Sequence, residues 1–81
     1  MESREDVKKA IRVGVRSTFK AVEKTRQRRL DIKELEDLRN VVKRNLFDEI
    51  GPVLAQEGFS REDVIGIIDE SVDEIMTEFA Q

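Results

Sequence analysis

The sequence predicts an all-α protein, a small antiparallel bundle of three long helices and one short helix. Three observations carry this prediction. Apolar residues recur at intervals of three and four through nearly the whole chain, no segment alternates with a period of two, and helix start and stop signals punctuate the periodic stretches. The 81 residues hold one proline and four glycines, with no linker or low-complexity tract, so residues 1–81 read as a single helical domain. At this length folding buries only roughly 60–65% of the surface the unfolded chain exposes, so the core is thin and a partner subunit would add to it.

The first helix is expected over about residues 4–28. Ser3 is the N-cap with Asp6 in capping-box position, and Lys24, Arg26, Arg28 and Arg29 suit the negative end of the helix dipole. Val7, Ile11, Gly14, Val15, Thr18, Ala21, Val22 and Thr25 share one face; Lys9, Arg12, Arg16, Lys20 and Lys24 share the other. Gly14 costs roughly 1 kcal/mol of helix propensity relative to Ala, which implies a packing reason. With Ala10 and Ala21 it would admit a close helix approach.

Asp31 and Glu34 form the capping box of a second helix over about 32–50, and Leu30 and Leu35 have the spacing of a hydrophobic staple. Leu35, Leu38, Val42 and Leu46 make its buried stripe. Gly51-Pro52 interrupts the pattern, giving either a short third helix over about 52–57 or a kink in one continuous helix. Gly58 is a left-handed stop, with Phe59 placed to contact Leu54. Ser60 and Asp63 then open a fourth helix over about 61–80, whose seam reads Ile65, Ile68, Val72, Ile75 and Phe79, widened by Val64 and Met76. An up-down-up path brings the first and fourth helices side by side. Ser3-Arg4-Glu5-Asp6-Val7 recurs as Ser60-Arg61-Glu62-Asp63-Val64, which we read as one start signal used twice rather than a duplicated hairpin.

The net charge of −3 conceals a strong division. Residues 1–44 carry 14 Lys and Arg against 8 Asp and Glu; residues 45–81 carry Arg61 alone against 10 acids. The first helix and its end present nine cations against Glu23, and such a row needs compensation from water, from the seven acids of the fourth helix, or from an external anion.

Side-chain chemistry is sparse. With no His and no Cys, the usual neutral-pH base, the thiolate nucleophile, disulfides and the two best transition-metal ligands are missing. Ser17, Thr18, Ser71 and Thr77 have no base to activate them, and Asp69, Glu70, Asp73 and Glu74 lack a calcium-loop pattern, so no catalytic, cofactor or metal residue is assigned. No apolar run approaches the roughly 18 residues of a membrane span, and the chain opens with charged residues rather than a signal sequence. A cytoplasmic protein without membrane partners is expected.

The functional expectation is therefore a non-catalytic interaction or regulatory module that self-associates as a homodimer. Val13, Val41, Phe47 and Ile67 fall off the expected core faces, and Val41, Phe47 and Ile67 are assigned to an apolar partner surface. The basic face of Arg12, Arg16, Lys20, Lys24 and Arg28, opposed by the acidic fourth helix, sets partner choice. The alternative is a nucleic-acid-associated protein using those five cations on phosphates. Against it, Trp and Tyr are absent and the four Phe sit at or near core or staple positions, leaving no stacking platform. A helix-turn-helix-like spacing around Gly58 is rejected because its reading helix would present Glu62, Asp63, Asp69 and Glu70 to phosphate.

Overall fold

A computed structural model describes residues 3–81. It contains four helices and, among the described residues, no strand: α1 (Arg4–Arg26), α2 (Ile32–Glu49), α3 (Gly51–Gln56) and α4 (Arg61–Ala80). The protein is a small all-α bundle.

The helix starts follow from the expected caps. Ser3 Oγ accepts the Asp6 N–H at 3.1 Å and Ser60 Oγ accepts the Asp63 N–H at 3.1 Å. At α2 both halves of the box form, Asp31 accepting from the Glu34 N–H at 2.9 Å and Glu34 from the Asp31 N–H at 3.1 Å. Gly58 closes α3 at φ 100°, with the Phe59 N–H bonded to the Leu54 carbonyl at 3.1 Å. The end of α1 differs from expectation. It stops at Arg26 because Gln27 turns left-handed (φ 59°), and the Gln27 and Arg28 N–H groups close onto the Lys24 and Glu23 carbonyls.

The Gly51-Pro52 junction is a local break. Ile50 stays right-handed, donating to Leu46 at 2.8 Å and accepting from the Leu54 N–H at 3.0 Å. The missing Pro52 donor falls in the first turn of α3, where an unpaired N–H is ordinary, so the helical sense is kept across the junction.

Packing centres on α4. Both α1 and α2 lie against it, α1 parallel and α2 antiparallel, while α1 makes almost no close backbone approach to α2 or α3. The result is elongated, 40 × 19 × 18 Å, with a radius of gyration of 13.0 Å. A close-packed domain of this length would have about 12 Å.

A helix with neighbours on two sides buries a wide arc, and α4 does so with Val64, Ile67, Ile68, Ser71, Val72 and Ile75. Two assignments are thereby corrected. Ile65, expected in the seam, is 36% exposed, and Ile67, expected on a free surface, is wholly buried. The buried face of α1 is also turned toward α4: Val7, Lys8, Ile11, Val15 and Phe19 are buried, whereas Gly14, Thr18, Ala21 and Thr25 are exposed. Phe19 meets Phe79 edge-to-face at 5.3 Å, locking the far ends of the two helices.

Candidate functional site

The cations of α1 and the acids of α4 meet along one seam. Arg4 reaches Asp63 at 3.2 Å and Glu70 at 2.7 Å; Lys8 bridges Glu70 at 3.1 Å and Glu74 at 3.2 Å. Arg12 joins Glu74 at 3.0 Å and Glu5 at 3.3 Å, and Arg16 grips both oxygens of Glu78 at 2.8 and 2.9 Å. The partners advance together because the helices are parallel, so each cation spaced by four residues finds a carboxylate one turn further along. The seam makes room for its first rung. A Cβ on Gly66 would lie 2.8 Å from the Arg4 guanidinium, the free end of a long, partly exposed side chain, so this mid-helix glycine sits directly beneath the first rung.

Hydrogen bonds across the seam hold the charged forms. The bonds from Lys8 and then Arg4 keep the Glu70 carboxyl below its ordinary value, and Arg16 does the same to Glu78. Lys8 and Arg16 are raised in return. A second cluster joins the end of α1 to the start of α2. Arg28 grips both Glu34 oxygens at 2.7 and 2.9 Å, Arg26 adds a contact at 2.7 Å, and the Glu34 carboxyl is lowered to about 2, first by Arg28 and then by the Asp31 N–H. On the other flank of α4, Lys43 of α2 contacts Asp69 at 3.4 Å and Asp73 at 2.9 Å.

The five expected basic residues therefore divide. Arg12, Arg16 and Arg28 are engaged by Glu74, Glu78 and Glu34, whereas Lys20 and Lys24 are exposed and have no ion-pair partner among the described residues. The four acids Asp69, Glu70, Asp73 and Glu74 are taken up as well, Glu70 and Glu74 by α1 and Asp69 and Asp73 by Lys43.

The apolar assignment also divides. Val41 is 52% exposed, Phe47 is half-buried against the core and Ile67 is inside it, so the three do not form one surface. An apolar cleft lies elsewhere. Because α1 and α2 both lean on α4 but not on each other, a groove of about 520 Å³ runs between α1 on one side and α2–α3 on the other. Val7, Ile11 and Val15 form one wall with Ala10, Gly14 and Thr18 at its edge; Val42, Leu46, Ile50, Val53 and Leu54 form the opposite wall, edged by Asn45, Glu49 and Glu57. Further along the same seam, Val22, Leu30, Leu38 and the exposed Val41 line a smaller hollow of about 210 Å³.

Sequence reasoning missed this groove because helical periodicity marks a face as apolar without saying which neighbour covers it. One signal was present: the run Ala10, Gly14, Ala21 of small residues. A Cβ on Gly14 would meet nothing within 4 Å, so the packing reason expected for this glycine is not supplied within the described chain.

Scanned against protein-family models, curated proteins and solved structures, the chain matches none of them. No helix of the described residues is long and apolar enough to cross a membrane.

Proposed function

We propose that the protein is a non-catalytic protein–protein interaction module whose docking surface is the groove between α1 and α2–α3. The observation that carries this reading is the groove itself: a cleft of about 520 Å³ between α1 and α2–α3, its floor formed by the buried Val7, Ile11, Val15, Val42 and Leu54 and its mouth by the exposed Ala10, Gly14, Thr18 and Val53. It follows three turns of α1, from Val7 to Thr18, and an amphipathic helix laid in such a groove is a recurring mode of recognition. Polar groups edge it sparingly, which suits apolar contact at the centre and charge selection at the rim.

Support for a phosphate-binding role is weaker than the sequence suggested, since three of its five cations are held by carboxylates of the same chain. Lack of cysteine fits a reducing cytoplasm.

Site-specific photo-crosslinking in the expressing cell tests the reading. A photoreactive residue at Asn45, on the groove, is expected to give a protein adduct of discrete mass, whereas the same residue at the exposed Glu62 of α4 gives none. Absence of an adduct from Asn45 overturns the proposal.

A further inference from the structure

We infer that the groove takes an amphipathic helix of a different protein, one that carries Lys or Arg along an edge of its apolar face. The inference rests on the reading of the groove as a docking surface and states the chemistry of its occupant.

The side of the mouth formed by α2 and α3 is acidic. Asp37, Val41, Asn45, Glu49, Val53 and Glu57 recur at every fourth position, all are exposed, and each lines either the groove or the smaller hollow that continues it. Residues four apart share one face of a helix, and the helical sense kept across Gly51-Pro52 carries the row from α2 into α3. Its three carboxylates have no ion-pair partner among the described residues. The facing edge of α1 does nothing to offset them, because Ala10, Gly14, Thr18 and Val22 are uncharged and Arg26 beyond them is held by Glu34 at 2.7 Å. Arg26 is the sole cation lining either hollow among the described residues.

An occupant must therefore be apolar toward the floor and cationic toward α2–α3. An anionic helix would set like charges together, and an uncharged one would take water from carboxylates without replacing it. Glu49 and Glu57 lie eight residues apart, about 12 Å along a helix axis, so cations about two turns apart on the occupant meet both. The opposite edge admits a close approach: a Cβ on Gly14 would meet nothing within 4 Å, leaving room for the backbone of another helix beside the small Ala10 and Thr18. A second copy of this chain offers no matching face. Its basic helix is α1, whose Val7, Ile11, Val15 and Phe19 are buried in its own core, with Val13 alone among its large apolar residues exposed.

Two synthetic peptides of about 18 residues, roughly five helical turns, test this against the full chain. Both repeat leucine at intervals of three and four with alanine between; one carries lysine along an edge of the leucine stripe and the other glutamate at the same positions. In fluorescence anisotropy at about 50 mM salt, the lysine peptide is expected to bind at least about 10-fold more tightly than the glutamate peptide. E49K/E57K is expected to invert that preference, and E36K/D48K, the same change of net charge on exposed α2 residues outside the groove, to keep it. Gly14→Leu is expected to weaken the lysine peptide by at least about 10-fold with the thermal transition unchanged, since the site is open in the single chain. Equal affinity for the two peptides overturns the inference, as does a preference that E49K/E57K keeps or that E36K/D48K loses. Absence of binding below about 1 mM does so as well. The docking reading stands or falls separately: an Asn45 adduct with a segment lacking Lys and Arg, or with a second copy of this chain, supports docking while overturning the basic occupant.

Discussion

Ser71 is wholly buried on α4, and its hydroxyl has no hydrogen-bond partner among the described residues. The threonines behave otherwise: Thr18, Thr25 and Thr77 each return their hydroxyl to the carbonyl four residues before, at 2.9–3.1 Å. A buried unsatisfied hydroxyl costs about 1–3 kcal/mol, and Ala is the better helix former. Ser71→Ala is therefore expected to stabilise the fold by about 1 kcal/mol, raising Tm by roughly 4–8 °C in a thermal melt. A lower Tm would mean that the hydroxyl does find a partner. Two glycines mark the limits of reading single residues. Gly66 and Gly14 look alike in the sequence, both mid-helix, yet one lies beneath a guanidinium from a helix some 60 residues away and the other faces empty space. Gln27 is harder still, because its left-handed turn arises where no glycine announces it.

At the level of elements, the local signals were sufficient wherever the deciding contacts are local. Ser3, Asp31 and Ser60 cap as expected, and Gly58 with Phe59 closes α3, because each bond joins residues three to five apart. The faces were legible only in part. Periodicity identified the apolar residues of α1 and α4, Phe19 among the core as expected, but which of them are covered depends on where the neighbouring helices lie, and so Ile67 proved deeply buried while Ile65 and Thr18 stayed out. The α1–α2 connection is fixed by Glu34, and its behaviour in acid follows from its shift. Its carboxyl titrates near 2 in the folded chain against an ordinary 4.5. Above the ordinary value its contribution to stability is fully present. Between the two values the unfolded chain takes up a proton that the folded chain refuses, so stability falls as pH drops. Glu70 and Glu78 shift in the same direction and add to the trend. Thermal melts should show Tm falling from pH 5 to pH 2, and Glu34→Gln should lower Tm at pH 7 while flattening that fall; an unchanged slope would assign the acid sensitivity to other carboxylates.

For the whole molecule, the division of charge read from the sequence has a structural location. It runs along the α1–α4 seam, where four cations meet acids on the parallel helix, and the intramolecular compensation weighed beside water and an external anion accounts for Arg4, Lys8, Arg12 and Arg16. The groove was not legible, since it exists only through a spacing between α1 and α2 that no local pattern encodes. Because α4 is, among the described residues, the helix against which both long neighbours pack, deleting residues 72–81 should abolish the cooperative thermal transition, leaving at most a broad, non-cooperative loss of helix by circular dichroism. A truncated chain that still melts sharply would show that α1 and α2 can find each other without it. The same centrality orders events during synthesis. The apolar face of α1 leaves the ribosome with no local neighbour to cover it, and its partners lie about 60 residues downstream. Until α4 has been made, Val7, Ile11, Val15 and Phe19 lack the helix that covers them, so a nascent segment ending before residue 61 presents that apolar face to water.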